Sequence, residues 1–381
     1  MTQTTSTSPA IAADAIDHAA ALAPESYARS VRALREKVVI ATQAVDDHLF
    51  AHASTSLSVH DRLATAQAVA ETSGVPALVA AYGERLRAAG EATDAARLKA
   101  ILDYARTIAR DPLAADRSAL AALSDAGLST ADIVLLGQLV GYVAYQLRVV
   151  AGLQALQALG PAGAASEAVA AAPAEDFVHP ANLPPPGEVL RINGFTSETL
   201  GWKAWLPVLD PATATPHQQA VLDASHPQAR TSDFYLLLAQ QPDVLEHRSA
   251  AFNAIMYAPG GLPRAERELA TAAVSRANGC VYCLSVHAQR FEQLAKRNDV
   301  IAQLFQDPDT AGTQPRERAI VRFALVLTRT PGQIGPAHLQ ALRDAGLTDI
   351  QLLDALHASA LFAWANRLML NLGEAVVPGA A

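Results

Sequence analysis

The stretch Leu262-Pro-Arg-Ala-Glu-Arg-Glu-Leu-Ala-Thr-Ala-Ala-Val-Ser-Arg-Ala-Asn-Gly-Cys-Val-Tyr-Cys-Leu-Ser-Val-His287 decides the fold. Pro263, with acids at 266 and 268 behind it, marks a helix start. Asn278-Gly279 marks its end. A second helix then begins near Cys280, so the stretch reads as a helical hairpin. On that second helix Cys280, Cys283 and His287 stand at i, i+3 and i+7 and share one face. Both thiols fall in the first turn, where the helix dipole favours a thiolate. His287 lies one turn beyond Cys283, within reach as a proton acceptor. On a single straight helix Glu268 would sit roughly 18 Å from Cys280, at about 1.5 Å per residue. If the chain folds back at Asn278-Gly279, Glu268 meets His287 across the hairpin and orients its imidazole.

The chain has only these two cysteines. A close CxxC pair in a chain that shows no secretory signal reads as redox chemistry or metal binding rather than a structural staple. The ligand types would also suit zinc, although zinc sites usually draw ligands from separate elements. By position alone, Cys280 at the helix start is the better-activated thiol.

Working outward, 381 residues are too many for one ordinary helical core and call for two domains. Apolar residues reach 51% and aromatics only 5%, which favours helices packed through small side chains. Runs such as Asp61 to Ala70 and Ile350 to Leu356 repeat apolar residues three and four apart, and no alternating strand pattern stands out. A net charge of -8 with no basic stripe argues against a nucleic-acid partner. Ile133 to Leu147, the longest uncharged run in the middle, reads as too short and too polar to span a bilayer. Met1 to Pro24 does not read as a signal peptide. The expectation is a cytoplasmic protein with no membrane partner and no cofactor.

Residues 1–14, rich in Thr, Ser and Ala, read as a disordered start. Gly160 to Pro186 is rich in Ala, Pro and Gly and reads as a linker, taken to extend over 160–193. It separates lobes at 15–159 and 194–381. Trp202, Trp205 and Trp364 read as lobe-packing residues, and His247 and His357 as structural or exposed.

The two lobes repeat one another. Leu63-Ala-Thr-Ala66 recurs at Leu269-Ala-Thr-Ala272, an offset of 206. Leu120 to Leu128 recurs at Leu339 to Leu347, an offset of 219 shared by Ala144 to Arg148 and Ala363 to Arg367. The difference places 13 extra residues in the second copy, between Lys296 and Pro315. At offset 206 the first copy carries Arg62, Gly74, Ala77 and Ala81 against Glu268, Cys280, Cys283 and His287. It reads as a degenerate twin, with Arg62 a solvated helix charge.

Glu268, Cys280, Cys283 and His287 at this spacing, set in Arg267-Glu268-Leu269 and Asn278-Gly279-Cys280-Val-Tyr-Cys283, resemble the core of alkylhydroperoxidase D and the carboxymuconolactone decarboxylase superfamily. The likeness is to its peroxidase-related branch. Tyr282 stands where some members carry histidine. The resemblance implies an all-α fold of two alkylhydroperoxidase D-like lobes and a peroxidase or disulfide-reductase cycle. In that cycle Cys283 attacks the peroxide, Cys280 resolves the sulfenic acid as a disulfide, and Glu268 and His287 relay protons. It implies a small hydroperoxide substrate, a thioredoxin-like or dihydrolipoyl-type reductant and a homo-oligomer. A general thiol-disulfide oxidoreductase and a redox-responsive binding protein are the alternative readings.

Overall fold

Caps written into the sequence divide the first half into helices. The computed structural model describes residues 14–52, 55–90, 94–162, 178–179 and 182–377. Asp14 caps α1 (Ala15–Ala19) and is followed by α2 (Tyr27–Ala33) and α3 (Glu36–Asp47). Ser58 closes a capping box on α4 (Val59–Glu71), and Pro76 opens α5 (Pro76–Ala88). Asp94 and Asp116 cap α6 (Ala95–Arg110) and α7 (Arg117–Asp125). Ser129, in a second capping box, starts α8 (Thr130–Leu159).

The second half contains α9 (Pro216–Ser225), α10 (Asp233–Leu238), α11 (Pro242–Met256), α12 (Arg264–Ala277) and α13 (Val281–Ala295). They are followed by α14 (Asp299–Gln306), α15 (Pro315–Arg329), α16 (Pro336–Asp344) and α17 (Asp349–Asn371). The fold is all-α as expected, with two small additions. Strand β1 (Arg191–Ile192) pairs antiparallel with β2 (Phe195–Thr196), and β3 (Gly201–Ala204) with β4 (Gly373–Val376). Strands of two to four residues are too short to print an alternating pattern.

The repeat is visible in the helices. The series α4 to α8 recurs as α12, α13, α15, α16 and α17, and α14 occupies the 13-residue excess. The halves share one apolar core in which α8 packs along α17 and α3 along α11. Their polar contacts are reciprocal. Tyr145 Oη bonds His357 Nδ1 at 2.9 Å, while Trp364 Nε1 donates to Gln138 Oε1 at 2.9 Å. Tyr145 and Trp364 differ by 219, as do Gln138 and His357. Arg148 donates to the Thr328 carbonyl at the end of α15, and Arg367 to the Ala109 carbonyl at the end of α6. Each guanidinium thus caps a helix of the other half at its negative end.

Several sequence expectations are corrected. Asp14 is ordered and buried, pairing with Arg32 at 2.7 Å; residues 1–13 of the supposed disordered start lie outside the described residues. The core of the linker, 163–177, also lies outside them. Its far end is bonded to α13, through Gly187 N to Glu292 Oε1 and Gln293 Nε2 to the Pro184 carbonyl. The uncharged run 133–147 is only the start of α8, which continues past Arg148 to Leu159. This helix is long and apolar enough to cross a membrane, and here it lies buried between the halves. Arg62 is not solvated: it is buried and donates to the Leu49 and Ser58 carbonyls.

The turn after α4 is one residue longer than the turn after α12. The cap of α5 is Val75, and that of α13 is Cys280. The offset is therefore 205 along these helices, so Val75, Leu78 and Tyr82 stand where the second copy has Cys280, Cys283 and His287. The first copy still has no thiol. Trp202 packs within the second half, edge-on to Phe234, whereas Trp205 reaches the first half through Arg117.

The buried seam makes a prediction about acid. Burial, with the Arg32 and Arg35 charges, pushes the His357 pKa down from 6.5 to about 3. The unfolded chain then binds a proton that the folded chain refuses. Stability is lost as pH falls below about 6.5 and levels off only below about 3. His357→Gln, which copies Gln138 of the other half, removes this liability. The urea midpoint of the variant is expected to fall less than that of the native protein between about pH 7 and about pH 4. Equal losses would refute the assignment.

Candidate active site

The hairpin α12–α13 brings the predicted residues together. Gly279 adopts φ +68°, a conformation that a side chain would strain, and so reverses the chain at the expected place. Asn278 is fixed there by Asn366 on α17, whose Oδ1 accepts from Asn278 Nδ2 at 2.9 Å. The start of α12 is fixed from the other side. Arg267 donates to the carbonyls of Ile255, Ala258 and Gly260 and to Asp354, which also binds Arg35 of the first half at 2.6 Å. With both ends held, Glu268 Oε2 lies 2.6 Å from His287 Nδ1. Arg264 Nε stands 3.6 Å from the other carboxylate oxygen. An Nδ1–H donated to Glu268 leaves Nε2 free to take a proton.

Cys280 is the cap residue of α13, and Cys283 lies in its first turn. Both are reduced. Their surroundings differ. Cys283 lines a cavity of about 630 Å³ together with Glu268, His287 and Tyr282. Cys280 is 1% exposed and does not line it. Burial pushes the Cys280 thiol well up, and its hydrogen bond to Cys283 pushes it further. This weighs against the reading of Cys280 as the better-activated thiol. Removal from water opposes the helix dipole at the cap and favours the protonated form of Cys280, whose S–H faces Cys283. Burial also raises the Tyr282 phenol, which therefore stays protonated. It raises Tyr257 to about 12, with the Glu268 charge adding to the effect.

Among the described residues, one group clusters its ligand atoms as a metal site would. It is His217, Asp243 and Glu246 near the surface, and it includes neither thiol. Two residues at the site escaped the sequence reading. Asn366 bonds the turn and reaches the Cys280 sulfur. Arg248 lies on α11 and lines the cavity. A signal for Arg248 existed, because it falls on the apolar face formed by Val244, Leu245, Ala251 and Ile255.

A model of the carboxymuconolactone decarboxylase family matches residues 242–325, which span α11 to most of α15. A peroxidase-related protein from Ralstonia eutropha JMP134, described as an alkylhydroperoxidase AhpD core, is 31% identical; the match covers 42% of this chain and 86% of that one, with a TM-score of 0.38. A peroxidase-related protein from Silicibacter sp. TM1040 is 24% identical; the match covers 44% of this chain and 91% of that one, with a TM-score of 0.37. A search of curated proteins found no match. The family match places residues 242–325, which carry Glu268, Cys280, Cys283 and His287, in the carboxymuconolactone decarboxylase family.

Proposed function

We propose that the protein is a thiol-dependent hydroperoxide reductase working through Cys283 and Cys280. The reading rests most on one-sided access: Cys283 opens on the cavity while Cys280 is sealed behind it. In the first step His287 takes the Cys283 proton, and the thiolate attacks the outer peroxide oxygen. The O–O bond breaks, and the alkoxide takes the proton back from His287 and leaves as an alcohol. Cys283 is then a sulfenic acid. Cys280 attacks its sulfur, water leaves, and a Cys280–Cys283 disulfide forms. An external dithiol, thioredoxin-like or dihydrolipoyl-type, reduces the disulfide by exchange. The peroxidase-related descriptions of the two similar structures point the same way.

Glu268 anchors the imidazole that moves the proton in this cycle. Glu268→Gln keeps the shape but removes the charge. It is expected to slow Cys283 oxidation by an organic hydroperoxide on the order of 10²-fold, the usual worth of a positioned proton carrier. Stopped-flow rates for the two proteins check this, and unchanged rates would remove the relay. The function itself is tested by turnover. Reduced protein supplied with a dithiol is expected to consume many equivalents of organic hydroperoxide. Consumption of a single equivalent would instead favour a redox-responsive binding protein. Turnover of small disulfides without turnover of peroxides would favour a general disulfide oxidoreductase.

A further inference from the structure

Arg248 is 4% exposed, yet among the described residues no carboxylate pairs with it. The other buried arginines are provided for. Arg32 pairs with Asp14 and Asp17, Arg267 with Asp354, and Arg343 with Asp349. Arg148 and Arg367 donate to helix-end carbonyls. The Arg248 guanidinium instead lies over two rings, 5.3 Å from the Phe234 centroid and 5.6 Å from that of Trp364. Its Nε has no hydrogen-bond partner among the described residues. The ionisable groups whose charge it feels are Tyr235 and Cys283. Aromatic faces offset part of the cost of burying a guanidinium, but an anion with hydrogen-bond acceptors offsets much more.

Among the described residues, the cavity holds no spare anion for this purpose. Glu268 is committed to His287 and Arg264, and Asp223 to Arg230. Phe252, Val286, Phe362 and Met369 give the wall an apolar stretch, while Ser249, Asn253, His226 and Arg290 line it elsewhere. Its volume of about 630 Å³ falls within the range of roughly 300–1,000 Å³ that encloses small organic ligands. We propose that this cavity binds a carboxylate-bearing organic molecule, with Arg248 taking the carboxylate and the apolar wall its body. Resting on the function proposed above, this makes the substrate a hydroperoxide that carries a carboxylate.

The test separates binding from turnover. Decanoate and methyl decanoate, neither of which can oxidise a thiol, are titrated into the reduced full-length protein while tryptophan fluorescence is followed. The acid is expected to bind at least about tenfold more tightly than the ester, the worth of one charge-assisted hydrogen bond. Arg248→Gln is expected to abolish that preference while leaving ester binding in place, and Arg248→Lys to retain part of it. Ester binding serves as the check that each variant is folded. Equal binding of acid and ester by the native protein would overturn the proposal, as would a preference that survives Arg248→Gln. A native preference lost in Arg248→Gln, in a protein that turns over no hydroperoxide, would uphold the binding site and sink the peroxidase reading alone. With turnover present, KM for a carboxylate-bearing hydroperoxide is expected to rise about tenfold in Arg248→Gln, and KM for its methyl ester to stay unchanged. An equal slowing of both substrates with no change in KM would assign Arg248 to the thiolate instead and overturn the substrate claim.

Discussion

Replacing Cys283 with serine is expected to abolish hydroperoxide consumption, a loss on the order of 10³-fold or more, because the hydroxyl is not a competent nucleophile toward peroxide at neutral pH. Cys280→Ser is expected to behave differently. It leaves the thiol that faces the cavity, so a single round of oxidation still occurs and stops at a sulfenic acid on Cys283. A sulfenic-acid trap followed by peptide mapping is expected to label Cys283 in that variant. The asymmetry follows from burial. Both thiols lie at the start of α13, but only Cys283 lines the cavity. If Cys280→Ser were inert and Cys283→Ser gave the trapped adduct at Cys280, the roles would be reversed.

The second large effect lies in the seam between the halves. A Cβ added at Gly141 on α8 would stand 2.1 Å from Trp364 Cδ1 and 2.8 Å from its Nε1. Trp364 is fully buried and is held by Gln138, so the ring can make room only by breaking that bond. Overpacking of this kind costs about 1–3 kcal/mol, and the lost buried hydrogen bond adds about 1–3 more. The better helix propensity of alanine returns about 1 kcal/mol. Gly141→Ala is therefore expected to destabilise the protein by about 2 kcal/mol or more, read as a lower urea midpoint. Gly83→Ala is the contrast. A Cβ there meets nothing closer than 3.6 Å, so the propensity gain of up to about 1 kcal/mol is expected to show as a higher midpoint. Since Trp364 also supports Arg248, Gly141→Ala is expected to disturb the cavity as well.

The sequence carried the hairpin, the turn and the Glu268–His287 meeting, because local signals set all three. Pro263 and Asn278-Gly279 punctuate the chain, and helical spacing does the rest. It also carried the repeat, down to the excess that became α14. What it could not carry depends on packing between distant segments. The surroundings of the two thiols depend on which side chains the neighbouring helices cover, and a dipole argument from position alone does not register the burial of Cys280. Arg62 looked solvated because one carbonyl it binds, that of Leu49, belongs to the π-helical turn His48–His52, which spacing along its own helix does not reveal. The one-residue difference between the two turns was hidden, since the Leu-Ala-Thr-Ala match on α4 and α12 fixes the register before the turn and not after it. Arg248 was legible only as a charge on an apolar face, a sign of a site that does not say what the site binds.

The central claim is that Cys283 and Cys280 form one peroxide-reactive pair. The most direct measurement mixes fully reduced native protein with one equivalent of organic hydroperoxide and follows free thiols against time. Both thiols are expected to disappear together, two per peroxide, far faster than free cysteine reacts, leaving an intramolecular Cys280–Cys283 disulfide. Thiols that persist, or that are lost no faster than those of free cysteine, would contradict it.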